Sequence, residues 1–164
     1  MRLFAWLAAA PFLAMALPGL SVLSWAQTPP VPNPHEAIYM YKGADREAWL
    51  LERARKEGGT VTFYSSLSPT EATPLMREFE KKYGIKVEVW RGLSEGVVQR
   101  VVNEGRARRH VVDVIETNGP EMEMLARERM LSEFHSPHIV DLPQGMIPKH
   151  RMWMPDRVNF FVVA

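Results

Sequence analysis

Between residues 45 and 130 the spacing of apolar positions changes repeatedly, and each change predicts an element. Residues 60–64, Thr-Val-Thr-Phe-Tyr, form a short β-branched and aromatic run that ends in Ser65-Ser66. Ser68, Pro69, Thr70 and Glu71 then supply an N-cap, a proline at the first helical position and the Glu of a capping box. Leu75, Met76, Phe79 and Tyr83 recur at helical spacing, Gly84 is a C-cap, and residues 85–90 alternate as the next strand. These pieces make one βαβ unit. Upstream, Asp45 N-caps a helix to Lys56 with Ala48, Leu51 and Ala54 on one face, and Gly58-Gly59 stops it. Downstream, Ser94 caps a helix with a wide Val97, Val98, Val101 and Val102 face, ending near residues 105–109. A strand over 111–115, a turn over 116–120 and a fourth helix over 121–130 follow. Strands alternating with helices predict an α/β fold with a mainly parallel sheet covered on both faces.

The flanks behave differently. Arg2 precedes an apolar stretch to about Leu23 that closes in Ser24-Trp25-Ala26, the pattern of a secretory signal peptide cleaved near Ala26. Pro11, Pro18 and Gly19 interrupt the stretch and weigh against a membrane anchor. Residues 27–34 hold four prolines, so 27–43 is expected to be a proline-rich leader. Past Met130 come short proline-containing pieces, with strands expected over 151–154 and 157–164. The last run, Val-Asn-Phe-Phe-Val-Val-Ala, is nearly all apolar; ending inside a strand pattern is expected of a chain cut from a longer parent.

Composition narrows the function. The chain has no cysteine, so it carries neither disulfides nor a lipoprotein thiol, which with the signal peptide points to the bacterial periplasm. The formal net charge is +1, and Arg2 is the only charged side chain in 1–26, so the mature chain is close to neutral. Charges are interspersed and give no nucleic-acid surface; Arg106, Arg108, Arg109 and His110 suit the solvated end of a helix. A mature chain of this length has room for one domain, expected over 44–164, and a monomer is expected.

In open α/β sheets, ligands bind beyond the carboxyl ends of the strands, where helix N-termini present unpaired N–H groups. That places Ser65, Ser66 and Ser68 at the ligand-binding edge with Tyr64 beside them, although Ser65 and Ser66 also suit a simple turn and Tyr64 a core residue at the end of its strand. Trp90 and Arg91 end the second strand, placed to stack on and pair with a ligand, though a tryptophan packed under an arginine is equally ordinary. Glu116, Thr117 and Asn118 follow the third strand, as ligand contacts or simply as its terminator. His135 and His138 sit three apart in a loop with no further ligands and make no metal site. No catalytic residue, metal site or cofactor is assigned. The ten methionines serve as core filler.

The sequence also resembles a family, the periplasmic solute-binding proteins of ATP-binding cassette importers, and within it the ferric-ion-binding branch. The likeness runs from about Asp45 to the end. It rests on Glu47-Ala48-Trp49-Leu50-Leu51-Glu52-Arg53-Ala54 leading through Lys56-Glu57-Gly58 into Val61-Thr62-Phe63-Tyr64-Ser65-Ser66, on Phe79-Glu80-Lys81-Lys82-Tyr83-Gly84-Ile85-Lys86-Val87, and on Val112-Asp113-Val114-Ile115. The resemblance implies the three-layer α/β/α amino-terminal lobe of a type II periplasmic binding protein, with a second lobe absent. It implies capture of a small-molecule or metal-ion solute between lobes and delivery to an ABC permease in the inner membrane. Ferric relatives have a histidine where this chain has Leu67 or Ser68, and a glutamate where Asn118 falls, with Glu116 two residues earlier. The ligand stays open between ferric iron and an anionic or small organic solute.

Two other classes fit the same architecture. One is a secreted hydrolase with Ser65 or Ser66 as nucleophile and His110 as base, although no G-x-S-x-G elbow, Gly-rich phosphate loop or paired-histidine zinc motif is present. The other is a solute-sensing lobe that signals to a membrane receptor.

Overall fold

The computed structural model describes residues 35–143 and 145–158. The expected signal peptide, the proline-rich stretch 27–34 and the apolar run 159–164 lie outside the described residues. The elements, in order, are α1 (Glu36–Tyr39), α2 (Arg46–Lys56), β1 (Thr60–Ser65), α3 (Pro69–Tyr83), β2 (Lys86–Arg91), α4 (Ser94–Arg106), β3 (Val114–Glu116), α5 (Gly119–Arg127) and a 3-10 turn (Pro137–Asp141).

The sheet is parallel, in the order β2-β1-β3. Its register sorts the side chains into rows, because successive residues of a strand point to opposite faces. Tyr64 pairs with Trp90 and Ile115, and this row enters the core with Val97, Val98 and Val101 of α4 and Leu125 of α5. Phe63 pairs with Val89 and Val114 on the other face, where it is buried while those neighbours are 42% and 48% exposed. The expected full cover on both faces is therefore incomplete among the described residues: the α4–α5 face is closed and the edges of the Phe63 face are open.

Several expectations change in detail. α1 falls inside the stretch expected to be leader; it is a single turn held by the His135 N–H donating to the Tyr39 carbonyl at 3.0 Å. β3 starts at Val114 and not at Val111, since the Thr62 N–H donates to the Asp113 carboxylate at 2.8 Å, which puts a side chain into the ladder. The Ser94 cap moves one residue: Leu93 is the N-cap of α4 and Ser94 begins the helix. α5 starts at Gly119, with Pro120 in its first turn where a missing N–H costs nothing, and ends before Met130. Residues 151–154 are not a strand: Arg151 has φ 53°, outside the extended region. Gly84, at φ 65°, is the left-handed C-cap expected of it. Met124 and Met146 are exposed, so the methionines are only partly core.

Candidate functional site

One residue beyond the Tyr64 row, Ser65 pairs with Arg91 on β2 and Glu116 on β3. Arg91, Ser65 and Glu116 thus form a row at the carboxyl edge of the sheet, on the face opposite Tyr64. The three helices that follow these strands begin within a few residues of it, at Pro69, Ser94 and Gly119. Asn118 Nδ2 donates to Ser94 Oγ at 2.8 Å and ties the starts of α4 and α5 together. Helix starts at a parallel-sheet edge direct N–H groups and positive dipole ends toward that edge.

The turn after β1 is held from both sides. On the β3 side, Glu116 Oε2 accepts from Ser65 Oγ at 2.7 Å, from the Ser66 N–H at 3.0 Å and Ser66 Oγ at 3.3 Å, and from the Leu67 N–H at 3.1 Å. On the β2 side, Arg91 Nε donates to the Leu67 carbonyl at 2.7 Å. Ser65 is 1% exposed and Leu67 5%, so these polar groups are paired because water does not reach them.

Arg157, from the irregular segment after Met130, crosses this edge. Its Nη1 donates to Glu71 Oε1 at 2.8 Å and its Nη2 to Glu116 Oε1 at 3.4 Å. The other oxygen of Glu71 accepts from the Ser68 hydroxyl at 2.6 Å and the Ser68 N–H at 3.0 Å, the reach-back expected of a capping box. The Ser68 hydroxyl, then the Ser68 N–H, and more weakly Arg157, hold the Glu71 carboxyl below the usual glutamate range.

The nine residues singled out in the sequence therefore divide. Ser65, Ser66, Arg91 and Glu116 meet at one turn, Ser68 caps α3 beside it, and Asn118 bridges two helix starts. Thr117 lies between Glu116 and Asn118, its hydroxyl buried and without a hydrogen-bond partner. Tyr64 and Trp90 go elsewhere: they lie in the core row, and Tyr64 is 1% exposed, its hydroxyl donating to the Glu104 carboxylate at 3.0 Å. Arg100 stacks over both rings, at 4.7 Å from Tyr64 and 4.5 Å from Trp90, and its Nε donates to Glu104 at 2.9 Å. Burial, followed by the Glu104 contact, raises the Tyr64 phenol above its ordinary value. Arg157 was missed. Its neighbours in sequence, Pro155 and Asp156, carry no pattern linking them to the strand ends, and only the tertiary path of the segment brings the guanidinium there.

The expected Ser–His alternative has no geometry behind it. His110 precedes β3 while Ser65 ends the parallel strand β1, so the two lie toward opposite ends of the sheet. The Ser65 hydroxyl instead donates to a carboxylate. Among the described residues, no three His, Asp or Glu side chains group as a metal site, and no helix is long and apolar enough to cross a membrane.

The parallel three-stranded sheet with its helices has the fold of part of one lobe of the type II periplasmic binding proteins, and solved structures of that fold superpose on the chain. Iron-bound HitA from Pseudomonas aeruginosa aligns with a TM-score of 0.54 at 20% identity, over 58% of this chain and 31% of that one. The Campylobacter jejuni ferric binding protein gives 0.52 at 21% identity, over 57% of this chain. Trichodesmium IdiA (FutA), in complex with iron and citrate, gives 0.51 at 20% identity, over 58% of this chain. The chain spans about 30% of the length of these structures. At this identity the likeness defines the fold. No family model and no curated protein matches the sequence.

Proposed function

We propose that this chain is the first lobe of a periplasmic solute-binding protein, a non-catalytic component that holds a small solute for delivery to an ABC permease. The observation that carries this reading is the row Arg91–Ser65–Glu116 at the sheet's carboxyl edge, facing the starts of α3, α4 and α5. Helix starts and Arg91, which makes no ion pair among the described residues while Arg157 is already paired to Glu71 and Glu116, favour an anionic or carboxylate-bearing solute, including a metal carried as its anionic complex. The Trichodesmium neighbour, which holds iron together with citrate, supports that class. Bare ferric iron is the weaker reading here, because both oxygens of Glu116 are engaged by this chain's own donors. A lobe alone supplies half of the contacts; in the two-lobe mechanism, binding shifts the pair toward a closed state. Calorimetry with citrate and with ferric citrate tests this. Weak binding is expected, weakened further in Arg91→Ala, and tight binding by the lone chain overturns the two-lobe reading.

A further inference from the structure

The turn at residues 65–67 has the donor set of an anion receptor, and it is already filled. Two N–H groups and two hydroxyls from three consecutive residues converge on one oxygen, Glu116 Oε2, at 2.7–3.3 Å. The Ser66 N–H is shared with the Glu116 carbonyl at 3.2 Å, and the Leu67 N–H with Ser65 Oγ at 3.0 Å. The second oxygen, Oε1, faces Arg157 at 3.4 Å. None of these donors belongs to the start of α3, where Glu71 satisfies the N–H and hydroxyl of Ser68. The receptor is therefore the turn itself, and its occupant comes from another strand.

We propose that residues 65–67 form a carboxylate receptor whose resident occupant is Glu116, so that Glu116 competes with a carboxylate-bearing solute and does not ligate it. A solute carboxylate entering the turn replaces one set of charge-assisted hydrogen bonds by an equal set, so the turn's donors stay paired, while the displaced Glu116 carboxylate, only 12% exposed, loses its four donors; that loss is what makes it a competitor. Arg157, which contacts the oxygen not held by the turn, is the guanidinium that either carboxylate would meet. The proposal rests on the solute-binding reading for the class of solute, not for the receptor.

The test is chemical rescue in the full chain carrying Glu116→Ala, with formate as the probe, and with phosphate and chloride at matched ionic strength. The variant is expected to melt several degrees below the parent, and formate to restore at least half of that loss saturably. Chloride should not do so, and the parent should not respond to formate. Rescue by phosphate and not by formate would overturn the carboxylate class. An equal response of parent and variant, or no response in either, would overturn the receptor. Should Glu116→Ala fail to fold, refolding is carried out in formate and in chloride: recovery in formate alone supports the proposal, and failure in both overturns it. Formate rescue without any citrate response at the strand ends would leave the receptor standing and remove the solute reading.

Discussion

Asn118 Nδ2 donates to Ser94 Oγ across 2.8 Å, so the residue that caps α5 also holds the start of α4. Asn118→Ala should cost about 0.5–1 kcal/mol, from the lost bond to Ser94, since the Asn118 side chain makes no capping hydrogen bond of its own. Denaturant unfolding monitors it, with a lower midpoint at unchanged slope as the expected result.

Rows one residue apart differ in binding. Tyr64→Phe removes a buried partner of Glu104 and should destabilise by about 1–3 kcal/mol while leaving the citrate response intact. Arg91→Ala leaves the buried Leu67 carbonyl without its side-chain donor, so it too should destabilise by about 1–3 kcal/mol, but it alone should weaken citrate. Thermal melts and calorimetry on the same two variants decide this; equal loss of binding in both would merge the rows.

Arg108 follows α4 with φ 54°, a left-handed conformation that penalises any side chain. Arg108→Gly should therefore stabilise by roughly 0.5–1 kcal/mol, the relief exceeding the extra freedom gained by the unfolded chain. Denaturant midpoints check the sign.

The pair of α5 and the segment after it is pH-dependent. His150 accepts the Met152 N–H on Nδ1 at 3.1 Å, so in the neutral ring Nε2 carries the proton and donates to Glu123 Oε2 at 3.0 Å. That contact, ahead of Arg127, lowers the Glu123 carboxyl below its ordinary 4.5. A carboxyl depressed by folding contributes stability above its unfolded value and loses it as pH falls through the folded one. The stability advantage of the parent over Glu123→Gln should thus shrink as pH falls below about 4.5. Unfolding free energies across that window provide the check.

Much of this arrangement was legible in the sequence. The β1–α3–β2 unit, with Ser68 opening and Gly84 closing the helix, follows from strong local signals: a proline at the first helical position, helical spacing and a glycine free to take positive φ. The strand-end location of Ser65, Ser66 and Glu116 follows from the α/β pattern alone. Which face each residue takes did not follow. Tyr64 and Trp90 stand beside the candidate site residues in sequence, where a core role and a ligand role fit equally, and the pairing register decides for the core. Arg157 was beyond reach for a different reason: its contacts with Glu71 and Glu116 span 86 and 41 residues, a separation at which no local preference acts. The shortened β3 turns on Asp113, whose carboxylate takes a backbone donor that a pattern of apolar residues does not reveal.

The most direct test of the central claim is an amide NMR map of the chain titrated with citrate and then with ferric citrate. Solute capture at the carboxyl edge predicts shifts, and paramagnetic broadening with iron, at Ser66, Leu67, Arg91, Ser94, Thr117 and Gly119, with α2 undisturbed. Perturbation confined to α2 or to residues 35–43, or none at saturating citrate, would contradict it.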